Sequence, residues 1–408
     1  MSDPISPVTN LLQYLKNVTD NSEARTATVM VSVDFSFAFD KSPYDSLIES
    51  CLEGGMDMGF AKFLHSFLRK RRLKVRVGKA TSHTVTFTSG TPQGSCGSSL
   101  YFCAMVQDVV KGLTSNHALF CDDLKIYRAC KNAGDLRQLQ ADVDHLHRWC
   151  VDRNLKINVG KSYVQVFNHS GQPFLDAPVN LGGQPLSRVA VGKDLGLLVD
   201  DKLQFQDQLK KIVQDVRVRA MRARKMILSR DKHVLSKVWS SYISPPSEYG
   251  VGVFTLDDPR EDGDGQPRGI VEIQKDLCRI QKRYFRGVAF DDSCKGPPAI
   301  LRKFRHLKLG LIWSILNGKT ALRPDEVFQF SRREGLRSTG PIMPKVTTNS
   351  KRRYLGAAAI NMWNKLPPQV RNAPTKFTFK RLLTHAVDFT KYNYHMNSNV
   401  RYRYANQI

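Results

Sequence analysis

Residues 28–34, "TVMVSVD", are apolar almost without interruption until they end on Asp34, the pattern of a buried strand with a polar tip. "KSPYDSLIESCLEGG" (41–55) then reads as a helix, with Ser42 as N-cap, Pro43 at the first helical position, Asp45 in the first turn, and Gly54 and Gly55 closing it. A second amphipathic stretch, "FAKFLHSFLRKRR", leads into "LKVRV", a turn at Gly78-Lys79 and "HTVTFTSG", which together predict a β-hairpin. "TPQGSCGSSLYFCAMVQDVVKGL" opens as a Gly/Ser/Pro loop and continues as an apolar helix. In "ALFCDDLKIYR" (118–128) two strand-like runs flank Asp122-Asp123, which fits the tip of a second hairpin. A polar helix over 135–153 and the strand-like "KSYVQVF" follow. This order predicts an α+β fold, a sheet covered by helices on one face.

Beyond residue 200 the pattern changes. Apolar residues at 209, 212, 213, 216, 220 and 227 mark one face of a long helix, and Lys210, Lys211, Arg217, Arg222, Arg224 and Lys225 lie mostly off that stripe. The acidic, Gly/Pro-rich "DDPREDGDGQPRG" (257–269) reads as an exposed loop or boundary. The remainder is basic, helix-prone and punctuated by prolines, and no internal repeat is present.

Charge narrows the partners. Sixty-two Lys and Arg against thirty-seven Asp and Glu give a formal net charge of +25. Such an excess points to a polyanion, nucleic acid first and an acidic membrane surface second, bound in a salt-sensitive way. No apolar run approaches the roughly 18–20 residues of a membrane span. "MSDPISPVTN" lacks the basic-then-apolar order of a secretory signal. Eight cysteines without a CxxC pair give neither a disulfide framework nor a zinc site, so an intracellular setting is expected, nucleus and cytoplasm both open.

Asp122-Asp123 is not a signal by itself, since Asp-Asp recurs at 200–201, 257–258 and 291–292. A tight turn or a helix cap explains such doublets well. What sets this one apart is Asp34 at the end of one strand and the Gly-rich "SGTPQGS" in between. Three carboxylates from adjacent strands can hold two divalent ions about 4 Å apart, the arrangement that clamps attacking and leaving oxygens in phosphoryl transfer. Mg²⁺ suits such a hard-oxygen site, and Mn²⁺ can stand in for it. Glycines in the loop let backbone approach a nucleotide, and Gln93 can hydrogen-bond it.

"SVDFSFAFDKSPYDSL", "SGTPQGS", "FCDDLKIY", "LKINVGKS" and "KDLGLLVDDKL", in this order, resemble the palm motifs of non-LTR (LINE-type) retrotransposon reverse transcriptases. The tail "AINMWNKLPPQVRNAPTKFTFKRLL" resembles the C-terminal stretch of such polyproteins, so the likeness runs from about residue 8 to 385. It implies an RNA-directed DNA polymerase built as a palm over 1–175, a thumb-like region with the basic helix over 176–256, the acidic loop at 257–269 and a basic helical region over 270–408. Asp34, Asp122 and Asp123 match the metal-binding, catalytic aspartates. Phe39 matches the bulky residue that rejects ribonucleotides, Gln93 and Gly94 the nucleotide-contacting pair, and Lys161 a lysine near the nucleotide phosphates. An RNA template, a DNA primer and deoxynucleoside triphosphates are the implied partners.

The chain also departs from that pattern. Phe37 stands where the family has Lys, Cys121 where it has Ala, Leu124 where it has Thr, and Cys96-Gly97-Ser98-Ser99 where it has Val-Leu-Gly-Pro. About 30 residues precede Asp34, so the family's fingers region and its endonuclease are expected to be missing. The alternative to a polymerase is therefore a catalytically inactive nucleic-acid-binding protein derived from such an element.

Other features read as structure. Asp200-Asp201 reads as a hairpin turn. "VGKS" (159–162) has Leu155 where a P-loop needs glycine. His145, His147 and Cys150 fall on different faces of their helix. "RKRR" (69–72) sits where a helix meets a strand, as solvated surface, nucleic-acid contact or a nuclear localisation signal. For the basic helix, tracking a template–primer backbone is preferred over a solvated face, and Trp363 reads as a packing anchor.

Overall fold

The apolar run folds as expected, as β1 (Ala27–Val33), buried throughout except for half-exposed Ser32. The computed structural model describes residues 6–36, 38–92, 94–95, 97–169, 171–254, 268–289, 300–330, 341–342 and 360–386. The chain divides into two compact units, residues 17–203 and residues 1–16 with 204–408.

In the first unit β1 is the middle strand of a five-stranded sheet. It pairs antiparallel with β7 (Asp123–Cys130) on one side and β8 (Tyr163–Phe167) on the other. β6 (Asn116–Phe120) adds antiparallel to β7, and β11 (Ser187–Arg188) adds parallel to β8, giving the order β11-β8-β1-β7-β6. The fold is mixed α/β around a sheet rich in antiparallel pairs.

Strand alternation assigns the two faces of the sheet. Val29, Val31, Val33, Leu124, Ile126, Val164 and Val166 point to one side, where they share a core with Leu47, Leu64, Phe102 and Leu139. Those four come from α3 (Tyr44–Glu53), α4 (Met58–Leu68), α5 (Ser98–Gln107) and α6 (Ala133–Asp152). The opposite face carries Thr28, Met30 and Ser32 of β1, Lys125 and Tyr127 of β7, and Tyr163, Gln165 and Phe167 of β8. On this side Asn17 and Asn21, near the C-terminus of α1 (Pro7–Glu23), donate to Tyr127 Oη and Thr28 Oγ1.

Four two-stranded ribbons complete the unit. β2 (Arg72–Leu73) pairs with β5 (Val85–Thr86), and β3 (Arg76–Val77) with β4 (Ala80–Thr81) around Gly78-Lys79, where Gly78 has φ +60°. β9 (Asn180–Leu181) pairs with β10 (Gln184–Pro185). β12 (Val191–Asp194) pairs with β13 (Leu197–Asp200).

One cap differs from expectation. Pro43, in extended conformation, takes the cap position of α3, so the helix starts one residue later than the Ser42 reading. Ser42 is fully buried and its carbonyl accepts from the Gly90 N–H, a tertiary use that a capping pattern does not reveal.

The second unit is helical. Its long basic helix is α7 (Gln206–Met226), with Leu209, Ile212, Val213, Val216, Ala220 and Ala223 buried, and it packs against α10 (Arg268–Tyr284). α8 (Lys232–Val238), the short α9 (Pro245–Glu248) and α11 (Ile300–Leu316) belong to the same unit. Trp313 and Trp363 each lie 5.9 Å from the Phe379 ring and are buried, so Trp363 is a packing anchor. The acidic loop at 257–269 falls almost entirely outside the described residues. Among the described residues no helix is long and apolar enough to cross a membrane.

Candidate active site

The hairpin expected around the acidic doublet forms, but its turn lies one residue earlier than Asp122-Asp123, so Asp123 opens the second strand. β6 and β7 are joined by the two residues Cys121 and Asp122, with Phe120 paired to Asp123. Cys121 holds φ at +54°, a conformation that costs an L side chain of order 1–3 kcal/mol and gathers at functional sites. The β1–β7 register ends with Val33 paired to Leu124, so Asp34 directly follows the last paired residue of β1 and Asp123 directly precedes Leu124 on β7. Asp34 and Asp123 therefore end neighbouring strands on the face that carries Ser32 and Lys125. Asp122 stands beside them in the turn.

The segment after α6 fixes Asp34. Its N–H donates to Ser162 Oγ (3.1 Å) and its carbonyl accepts from Asn158 N–H (2.8 Å). Ser36 N–H donates to Lys156 O (2.7 Å), and Phe35 bridges to Ile157. "LKINVGKS" thus acts as a brace for the strand end, with Lys161 exposed at its turn.

Electrostatics tie the carboxylates together. Lost hydration raises the Asp123 pKa above the ordinary carboxylate value; Lys125 opposes the rise, while Asp122, Asp194 and Asp34 reinforce it. Like charges crowded at one strand end resist ionisation, and a bound cation relieves them. Among the described residues, however, no three His, Cys, Asp or Glu side chains converge closely enough to hold a metal ion as they stand. The donor set fits a hard divalent cation by its chemistry and its strand placement, not by a preformed cage.

The remaining expected residues are partly gathered. Phe39, on the short α2 (Ala38–Lys41), is half-buried with its ring 4.7 Å from Phe102 of α5. Its carbonyl accepts from Thr91 N–H (2.7 Å), which ties α2 to the Gly-rich loop. Gly90 there has φ +79°, and a Cβ would lie 2.6 Å from Phe39 O, so this glycine serves a close approach of backbone to backbone. Gly94, with φ +87°, is open to solvent; Gln93 lies outside the described residues.

The basic helix residues separate into groups. Lys211, Arg222 and Lys225 are exposed, with no ion pair among the described residues. Lys210 reaches Asp207 at 3.5 Å and Arg217 reaches Asp276 at 3.7 Å. Arg224 is half-buried and influences Tyr284.

Two residues escape a reading of the sequence alone. Arg71, which sits in a basic run, donates to Tyr44 Oη, Ser89 O and Gly90 O, and its guanidinium lies 5.7 Å from the Tyr44 ring centroid. Asp194 lies against Lys125 at 2.8 Å beneath the sheet. Its place in "KDLGLLVDDKL" is visible, but its partner is 69 positions away and carries no local signal.

Residues 3–180 match the family described as reverse transcriptase (RNA-dependent DNA polymerase). Over that stretch the chain is similar to a reverse transcriptase domain. Over 269 residues the chain is 26% identical to a probable RNA-directed DNA polymerase from transposon BS of Drosophila melanogaster, covering 62% of this chain and 29% of that protein. Over 237 residues it is 25% identical to the RNA-directed DNA polymerase from mobile element jockey of Drosophila funebris, covering 55% of this chain and 25% of that protein. It thus spans little more than a quarter of the relatives it matches. A solved telomerase from Candida albicans, in complex with a fragment of telomeric RNA, aligns over 78% of this chain and 54% of its own, with 9% identity and a TM-score of 0.34, too slight a likeness to bear on function.

Proposed function

We propose that this chain carries the catalytic domain of a LINE-type reverse transcriptase that extends a DNA primer on an RNA template. The observation that carries the reading is that Asp34 and Asp123 flank the last β1–β7 pair, Val33 with Leu124, with Asp122 in the adjoining turn. The sheet unit is read as the palm and the α7-containing unit as thumb and basic C-terminal region.

Asp34, Asp122 and Asp123 would hold the divalent cations, two Mg²⁺ ions by preference. When bound, such ions polarise the α-phosphate and favour deprotonation of the primer 3′-OH. This chain's own residues supply placement. The Asn158–Ser162 brace fixes the backbone of Asp34, and the β6–β7 turn fixes Asp122 and Asp123. Phe39, packed on Phe102 and linked to Thr91, is read as a floor that excludes a ribose 2′-hydroxyl. Gly94 and Gln93 are read as nucleotide contacts and Lys161 as a contact to the triphosphate. Lys211, Arg222 and Lys225 are the basic residues freest to follow a nucleic-acid backbone.

Primer extension on a primed RNA tests this. Mg²⁺-dependent incorporation of deoxynucleotides is expected, with Asp34→Asn lowering it by at least about 10²-fold. Replacing Phe39 by Ala is expected to admit ribonucleotides while deoxynucleotide incorporation persists. An inactive chain that binds primed RNA in a salt-sensitive way would favour the derived binding protein instead.

A further inference from the structure

Behind the acidic tip, the same face of the sheet holds a charge pair that the proposed chemistry leaves unused. Lys125 follows Asp123 by two positions on β7, so both side chains leave the strand on one side. Its Nζ lies 2.8 Å from Asp194 Oδ1, and the two side chains are 2% and 3% exposed. Among the described residues neither the ammonium nor either carboxylate oxygen has another hydrogen-bond partner.

Stability alone is a poor reason for such a pair, because desolvating two charges costs as much as their attraction returns, and apolar replacements are often neutral. Its position is more telling. Asp194 ends β12, and the β12–β13 ribbon is held to β8 by three hydrogen bonds. Gln165 Nε2 donates to Ala190 O (3.1 Å) and Val199 O (2.8 Å), and Tyr163 Oη to Lys193 O (3.2 Å). The Lys125–Asp194 pair fastens the ribbon to β7, the strand that starts at Asp123. It also fixes a fourth carboxylate near enough to Asp123 to act on its charge, where a loose acidic side chain would compete for the same cations.

We propose that Lys125 and Asp194 are positioning residues: their ion pair clamps the β12–β13 ribbon to β7, holds Asp123 near Asp34, and keeps Asp194 out of the cation site. The proposal rests on the polymerase reading above. It concerns groups that touch neither substrate nor cation.

The test uses the full chain and its Lys125→Met, Lys125→Met/Asp194→Leu and Asp122→Asn/Asp123→Asn variants. Three quantities are read: melting temperature, Mn²⁺ affinity by electron paramagnetic resonance, and kcat and KM for deoxynucleotide in primer extension. Lys125→Met, which leaves Asp194 buried and unpaired, is expected to lower all but KM. The double variant is expected to regain the melting temperature yet bind Mn²⁺ about tenfold more weakly, the scale of losing an outer-shell partner, with kcat reduced and KM within about twofold. Should the apolar pair not fold, Lys125→Gln/Asp194→Asn serves the same comparison.

A refolded double variant that binds Mn²⁺ and turns over like the parent would overturn the clamp and leave the polymerase reading standing. A parent with no Mn²⁺ binding sensitive to Asp122→Asn/Asp123→Asn would overturn the polymerase reading, and the clamp with it. If the parent binds Mn²⁺ without extending primers, the affinity comparison still decides.

Discussion

At Asp142, on α6, one buried carboxylate accepts from the N–H groups of Thr114 (3.0 Å) and Ser115 (2.8 Å) and from the Thr114 hydroxyl. Burial pushes its pKa up, but these hydrogen bonds outweigh burial and hold it below the ordinary value. Its contribution to stability is therefore present above the unfolded pKa near 3.9 and disappears as pH falls through the lower folded value. Asp142→Ala is expected to cost about 1–3 kcal/mol in urea unfolding at pH 7, because it strands the buried Ser115 N–H, whereas Asp142→Asn keeps one acceptor and costs less. At this scale the sequence was partly legible where chemistry is local. Asp200-Asp201 reads as a hairpin turn, but Asp200 ends β13 and the turn after it leads into α7, with the Asp200 carboxylate accepting from Lys202 N–H (3.1 Å). What separates that doublet from Asp122-Asp123 is the neighbouring strand end at Asp34, and the motif order carried that information. Arg71 and Asp194 were not legible, because their partners are distant in sequence.

Elements were readable wherever periodicity was strong. The stripe at 209–220 became the buried face of α7, the Gly78-Lys79 turn joins its expected strands, and the second hairpin formed with its turn shifted by one residue, to Cys121-Asp122. Caps were less readable: Ser42 was claimed by Gly90, whereas Asn132 and Asp135 form a reciprocal capping box on α6. Asn132→Ala is expected to remove about 1 kcal/mol from the sheet unit, read by thermal or urea unfolding. In the helical unit, His306 on α11 has its pKa lowered to about 4 by burial and by Arg302. A base with a depressed folded pKa destabilises on acidification, since the unfolded chain takes the proton first. Urea midpoints of this unit should thus fall from pH 6.5 toward pH 4, followed by fluorescence of the buried Trp313 and Trp363. Replacing His306 by Gln should flatten that slope.

For the whole molecule, the +25 charge predicts association with polyanions, and the structure says which cations are spare. Replacing Lys211, Arg222 and Lys225 by Gln should reduce the slope of log K against log salt for primed RNA by about 2–3, close to one per lost phosphate contact. Arg217→Gln, which removes a cation already facing Asp276, should change it less. Composition supplied the sign of the partner, and only the fold separated paired from unpaired cations.

The central claim is that Asp34, Asp122 and Asp123 form the cation-binding edge of a polymerase. The most direct measurement is single-nucleotide extension of a DNA primer on an RNA template in Mg²⁺, comparing the parent with Asp122→Asn/Asp123→Asn and with Asp200→Asn/Asp201→Asn. The account predicts extension by the parent, its loss in the first variant, and its retention in the second, which alters a turn of equal charge away from the edge. Equal activity in all three would contradict it.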